Sequence, residues 1–428
     1  MNSALTCGGA AHFHRRGMLK LMGLSGLAWL TPVSEMLARA AEKSTSASAK
    51  SLILLWLDGG PSQLETFDPH PGSKIAAGTT AVETNVPGIQ LASGLQRVAE
   101  QMDSISVIRN VVSKEGDHER ANYNVKTGYR PDPTLTHPSI GAILAHQLPR
   151  GRTEIPRHVS ILPAAWPGRG GFLGDQFDAF KTGDPNQPIP DVARPVSAER
   201  FEQRLASVQL VDREFARGRL ANLESSKTLH QATIGQSVQM MSSEQLKAFD
   251  VSQVPWQERK SFGDTPFGRG CLAAARLVDV GVRCVEVTLS GWDSHVSNHS
   301  IHENLNGILD PALAGLIAYL KDHEQLADTI VMCCGEFGRT PGLNPAAGRD
   351  HWPHGFSIAL AGGSIAGGRV IGATDPEGAR IPMEQGIPVA DVHASVMHAL
   401  GVDPALELNT PVNRPMKLSQ GSVISQLF

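Results

Sequence analysis

Four absences narrow this 428-residue chain before any motif is read. Charge of one sign is the first. Lys+Arg 38 against Asp+Glu 42 gives a formal net charge of −4, so no electrostatic footprint points to nucleic acid or to an anionic membrane surface. Paired cysteines are the second. Of five cysteines, Cys7 falls in the leader described below, and Cys271, Cys284, Cys333 and Cys334 show no C-x-x-C or paired zinc spacing. Four buried thiols are the simpler reading. An apolar run long enough to span a bilayer is the third, because Leu21 to Leu30 is short and is broken by Gly23 and Gly26. The fourth is a dinucleotide fingerprint. Asp58-Gly59-Gly60-Pro61 stands where G-x-G-x-x-G would follow the first strand, which leaves a redox enzyme little support.

What is present suits one large α/β domain or two average ones. Hydrophobic residues make up 41%, enough for a substantial core, while 43 Gly and 28 Pro imply many loops and only 5% are aromatic. Sixteen histidines raise the question of a metal.

The first forty residues read as a leader. His14-Arg15-Arg16-Gly17-Met18-Leu19-Lys20 resembles a twin-arginine export signal, the apolar stretch follows it, and Ala38-Arg39-Ala40 offers a cleavage site. The expected division is therefore a signal peptide at 1–40, a Ser/Ala/Lys-rich linker at 41–50 and one domain at 51–428. The expected partner in export is the twin-arginine translocase, and the expected location is periplasmic or otherwise extracytoplasmic. That route moves folded proteins, which suits a protein that acquires its metal before crossing.

Within the domain, Ser51 to Leu57 is a nearly continuous apolar run ending in Asp58, the pattern of a buried parallel strand. Further runs at Ser106 to Val112, Val159 to Leu162, Gly281 to Leu289, Thr329 to Cys334 and Ser357 to Leu360 read as strands. Helices are expected over about Arg269 to Asp279 and Leu309 to His323. Strands alternating with helices predict an α/β fold, a mostly parallel central sheet covered on both faces, with ligands at the carboxyl ends of the strands. Between about 197 and 258 the spacing of Phe201, Leu205, Val208, Leu210 and Val211 changes to that of amphipathic helices, read as a helical insertion beside the sheet.

Polar clusters stand at the ends of these runs: Asp58; Gly291-Trp292-Asp293-Ser294-His295; Gly335-Glu336-Phe337-Gly338-Arg339-Thr340-Pro341; and Arg349-Asp350-His351-Trp352-Pro353-His354. A carboxylate alone at a strand end is as often a helix cap as a ligand. Four such clusters on one rim offer hard oxygen and imidazole donors together, which suits zinc, manganese or a similar divalent ion. Arg120, Lys126 and Arg339 are candidates for binding an anionic ester, since guanidinium forks suit phosphate and sulfate oxygens, and equally candidates for pairing with nearby carboxylates.

The order of these clusters resembles the alkaline phosphatase and sulfatase superfamily. Within it, the W-D-x-H and G-E-F-G-R-T-P segments and the twin-arginine leader are similar to a bacterial family known only as a domain of unknown function, number 1501. The resemblance runs from about Ser51 to the C-terminus. It implies an alkaline-phosphatase-like fold with Asp58 and Glu336 on one metal, Asp293 and His295 (or His299) on another, and His351 or His354 as the late ligand. Phe337 stands where many relatives carry a histidine, so one divalent site is implied and the second is left incomplete. His118 lies nine residues before Thr127-Gly128-Tyr129-Arg130-Pro131, where relatives carry a hydroxyl or thiol nucleophile. It is the candidate general base or a further metal ligand.

Two functions follow from this reading. One is a metal-dependent hydrolase of phosphate or sulfate esters that acts without a Ser, Thr or Cys nucleophile on a small anionic ester or glycan. The other is a non-catalytic metal- or anionic-glycan-binding protein on a degenerate hydrolase scaffold.

Overall fold

The structure is a computed structural model that describes residues 50–190, 192–193, 196–216, 229–374 and 385–428. The expected leader at 1–40, and the expected linker up to residue 49, lie outside the described residues. No described helix is long and apolar enough to cross a membrane.

Among the described residues nine strands form the central sheet: β1 (Ser51–Asp58), β2 (Ile105–Val112), β3 (His158–Ile161), β4 (Phe180–Thr182), β5 (Cys284–Ser290), β6 (Thr329–Cys334), β7 (Phe356–Ala361), β8 (Arg369–Ile371) and β9 (Ile387–Pro388). Their order is β8-β2-β7-β6-β1-β5-β3-β4, with β9 also paired to β2. Every pairing is parallel except the two that β7 makes, to β2 and β6. The sheet is thus mostly parallel, as its apolar runs predict.

Side chains alternate across each strand, and the core divides accordingly. Ile53, Leu55 and Leu57 of β1 join a cluster with residues of α5 (Pro266–Asp279) and α6 (Asn298–Asp322). Leu52, Leu54 and Trp56 join another with Val125 of α1 (His118–Thr127), Ile143 and Leu144 of α2 (Ile140–Gln147) and Val396 of α7 (Val389–Ala399). Helices therefore cover both faces. Helix α6 begins eleven residues before the expected Leu309 and carries Pro311 inside it.

In the region expected to be a helical insertion, α3 (Ala198–Ala216) and α4 (Leu229–Met241) are helical. Phe201, Leu205 and Val208 of α3 are half-buried. Leu210 and Val211 are 56% and 66% exposed, so they are not on an inner face of the described chain.

Two local devices position the rim. Asp117 caps α1 by accepting from the Arg120 N–H, and Gly128 ends the helix with φ +74°, which sets His118 at its first residue. Gly59, with φ +115°, lets the turn after β1 lie against the loop after β5, where a Cβ would fall 2.5 Å from the Asp293 nitrogen.

Candidate metal centre

Three histidines and one aspartate meet at this rim, delivered by three segments. His118 opens α1, Asp293 and His295 lie in the loop after β5, and His351 lies on a two-residue strand paired with Gly338–Arg339. His118, Asp293 and His351 each offer a donor atom within 4.8 Å of the other two. His295 touches two members of that group. Its Nε2 lies 3.1 Å from Asp293 Oδ1 and 3.0 Å from His351 Nε2.

Each imidazole is held from behind. His118 Nδ1 donates to Glu336 Oε1 at 2.6 Å, His295 Nδ1 to Asp350 Oδ1 at 2.9 Å, and His351 Nδ1 to the Gly116 carbonyl at 2.8 Å. A carbonyl or carboxylate oxygen only accepts, so Nδ1 carries the proton in each ring and the Nε2 lone pair is left for the centre. This is how metal-ligating histidines are oriented. His118 Nε2 stands 3.4 Å from Asp293 Oδ2, and His351 Nε2 stands 3.4 Å from Asp293 Oδ1. Donors around a tetrahedral zinc, with bonds of about 2.0–2.1 Å, stand roughly 3.3 Å apart. His118, Asp293 and His351 offer the right donor chemistry at close spacing, with His295 beside two of them.

The groups at this rim also shift one another's protonation. Burial works to raise the Asp293 carboxyl, but the bond from Arg339 and the charges of Arg339, His118 and His295 hold it below the ordinary carboxylate range. The bond to Glu336 raises His118 against the opposing effect of burial. Burial lowers His351 despite its bond to Gly116. Glu336 is buried and also accepts from the Gly59 N–H at 3.0 Å, which fixes its oxygen behind His118.

The remaining candidate ligands, Asp58, His354 and His299, lie apart from this group. Asp58 accepts the indole N–H of Trp56, its neighbour on the same face of β1, at 3.2 Å. His354 is exposed and sits edge-on to Trp352. His299 faces Thr79, Ala76 and Glu65. The three proposed anion binders have partners in the fold. Arg339, fully buried, donates to the carbonyls of Gly59, Gly60 and Arg349 and to Asp293 Oδ1 at 2.6 Å, so it braces the loops rather than opening to a ligand. Lys126 is also buried. Its ammonium bonds the Trp166 carbonyl at 2.7 Å, pairs with Glu286 at 3.0 Å and lies over the Trp56 ring. Arg120 pairs with Glu115 at 2.7 Å.

Asp350 and Gly116 are the participants that the sequence reading did not assign. Asp350 was visible as the residue before His351, but its partner His295 is 55 positions away. Gly116 acts through its backbone and leaves no signal of residue type.

Residues 49–428 match the model of the family described as "Protein of unknown function (DUF1501)". No curated protein matches the chain in sequence. Among solved structures, the chain is similar to the C-terminal periplasmic domain of EcEptC from Escherichia coli in complex with Zn, at 9% identity and TM-score 0.38, covering 89% of this chain and 95% of that one. It is also similar to the PsFucS1 sulfatase from Pseudoalteromonas sp., at 12% identity and TM-score 0.36, covering 87% and 72%. A protein in the alkaline phosphatase superfamily from Vibrio parahaemolyticus is similar at 15% identity and TM-score 0.31, covering 83% and 67%. Likenesses this distant assign no activity.

Proposed function

The chain belongs to the family of proteins of unknown function DUF1501, and from its own site we propose that it is an exported, metal-dependent hydrolase-like protein acting on phosphate or sulfate esters. The observation that carries this reading is the convergence of the His118, His295 and His351 Nε2 atoms on the Asp293 carboxylate, with every Nδ1 held by an acceptor. Zinc or manganese fits this mixed imidazole and carboxylate set, and one ion accounts for it.

His118, His351 and Asp293 would hold the ion, with His295 beside Asp293 and His351 as a further donor. Bound there, a divalent ion supplies Lewis-acid polarisation of a phosphoryl or sulfuryl oxygen. The protein's own groups do the rest. Glu336 and Asp350 fix two imidazoles, Gly116 fixes the third, and Arg339 holds one oxygen of Asp293 in place. Asp293 and His295 are each nearly half exposed, at 47% and 45% of the side chain, so an ester reaches this rim from solvent.

A second reading, metal binding without turnover, draws on one observation. The serine nearest His118 in sequence, Ser113, donates to Asn124 at 3.0 Å, and the described cysteines, Cys271, Cys284, Cys333 and Cys334, are buried. The test that separates the readings is hydrolysis of an aryl phosphate, a phosphodiester and an aryl sulfate by metal-loaded protein, with Asp293→Ala as control. Turnover lost in the variant supports the hydrolase; stoichiometric metal with no turnover on any of the three supports the binding protein.

A further inference from the structure

Behind the strand that carries His351 lies a cleft of about 1060 Å³, at the upper end of the range for small-molecule sites. Its lining includes Lys114, Arg130, Asp132, Trp352, His354 and Arg414. Neighbouring residues on a strand point to opposite faces, so His351 serves the candidate centre while Trp352 serves the cleft. The dividing wall is stitched by the Ser113 N–H to the Pro353 carbonyl at 2.8 Å and by His351 to Gly116.

The cleft is electropositive. Lys114, Arg130 and Arg414 are exposed cations, set against the single carboxylate of Asp132. That carboxylate already accepts from the Thr134 N–H at 2.8 Å and the Thr134 hydroxyl at 2.7 Å. The buried Glu115 beneath is held below the usual carboxylate range, first by its bond from Arg120 and then by that from Arg130; Arg130 therefore shares its charge with Glu115, while Lys114 and Arg414 are the cations that face the cleft most freely. The floor is rigid. Tyr129 stacks on His137 with ring centroids 4.2 Å apart and donates its hydroxyl to the Lys417 carbonyl at 2.6 Å. Trp352, half-buried, supplies an aromatic surface beside the cations.

We propose that this cleft is a second binding site, distinct from the metal centre, for an anionic ligand that carries one ring. Its sulfate, phosphate or carboxylate group is held by Lys114, Arg130 and Arg414, and its ring lies against Trp352. A flat aromatic wall next to guanidinium and ammonium groups recognises this combination better than either half alone. The site needs no metal and stands whether or not the esterase reading holds.

Calorimetric titration of the full chain, freed of metal with chelator, tests it. Phenyl sulfate and glucose 6-sulfate serve as ring-bearing anions, inorganic sulfate as the anion alone, and phenol and glucose as the rings alone. At least one ring-bearing anion is expected to bind about tenfold or more tighter than every single-feature probe, and which one identifies an aryl or a sugar ring. Lys114→Ala and Arg414→Ala, both at exposed positions, are expected to weaken that binding about fivefold or more, while Lys260→Ala elsewhere on the surface leaves it unchanged. Equal binding of inorganic sulfate, no binding of either ring-bearing anion, or full affinity in both cleft variants overturns the proposal.

Discussion

Asp58 and Asp293 leave neighbouring strands of the same sheet, yet they end in different company. Asp58 stays on its strand and gives an oxygen to the indole of Trp56, two residues back. Asp293 sits three residues beyond the end of β5, on a loop that brings it against three imidazoles and the Arg339 guanidinium. Both are carboxylates at carboxyl ends of parallel strands, where ligands gather in such sheets. The difference is convergence. A strand fixes where its last side chain points, whereas a loop braced from several sides aims one at a shared point. Arg339, spanning Gly59, Gly60, Arg349 and Asp293, is that brace.

The largest effect is expected from Asp293→Ala, which removes the carboxylate common to all three imidazoles. Divalent-metal affinity measured by competition with a chelator should fall by more than about 100-fold, beyond the 10–100-fold range for a group that only orients a ligand. Loss of an orienting group should land inside that range. Glu336→Gln and Asp350→Asn are each expected to weaken metal binding about 10–100-fold with the thermal transition little changed. Glu336→Gln should be the more severe, because Glu336 is buried behind His118 whereas Asp350 lies at the exposed edge. Unchanged affinity in both variants breaks the claim that these carboxylates set the tautomers.

Histidines of the interior sharpen the contrast from another side. Burial pushes His302 and His393 down to about 4, from an ordinary value of 6.5. His302 accepts the Ser62 N–H through Nε2 and is therefore neutral. Their pKa values are lower in the folded than in the unfolded chain, so the unfolded state takes up the extra protons first. Stability should be insensitive to these two residues above about pH 6.5 and fall as pH drops toward 4, by a few kcal/mol at most for each. Denaturant unfolding of metal-free protein across that range checks this, and a flat profile contradicts it. The smallest effect is assigned to Asp58→Asn. Metal affinity should change by less than about threefold, because Asn keeps an oxygen for the Trp56 indole and Asp58 stands outside the group.

Much of the fold was legible because buried parallel strands write themselves as apolar runs. The runs at Ser51, Ser106, Val159, Thr329 and Ser357 each fall in a strand of the sheet. Direction was not legible, since an apolar run reads alike either way, and β7 lies antiparallel to both neighbours. The expected start at about Leu309 falls short, since the helix begins at Asn298 and continues through Pro311. At the site, the donors were visible as residue types at strand ends. Their arrangement was not, because it rests on contacts such as His118 with Glu336, 218 positions apart, and His351 with Gly116, 235 apart. Lys126 shows the same limit in reverse. A lysine reads equally as an anion binder or as the partner of a carboxylate, and the structure buries this one against Glu286, a residue of the central sheet.

Metal analysis of the purified protein after exhaustive dialysis, beside Asp293→Ala and His351→Ala prepared alike, tests the central claim most directly. About one equivalent of zinc or manganese is expected in the wild type and a small fraction of that in both variants, each still folded by circular dichroism. Wild-type protein that takes up no divalent metal, or variants that retain it in full, would contradict it.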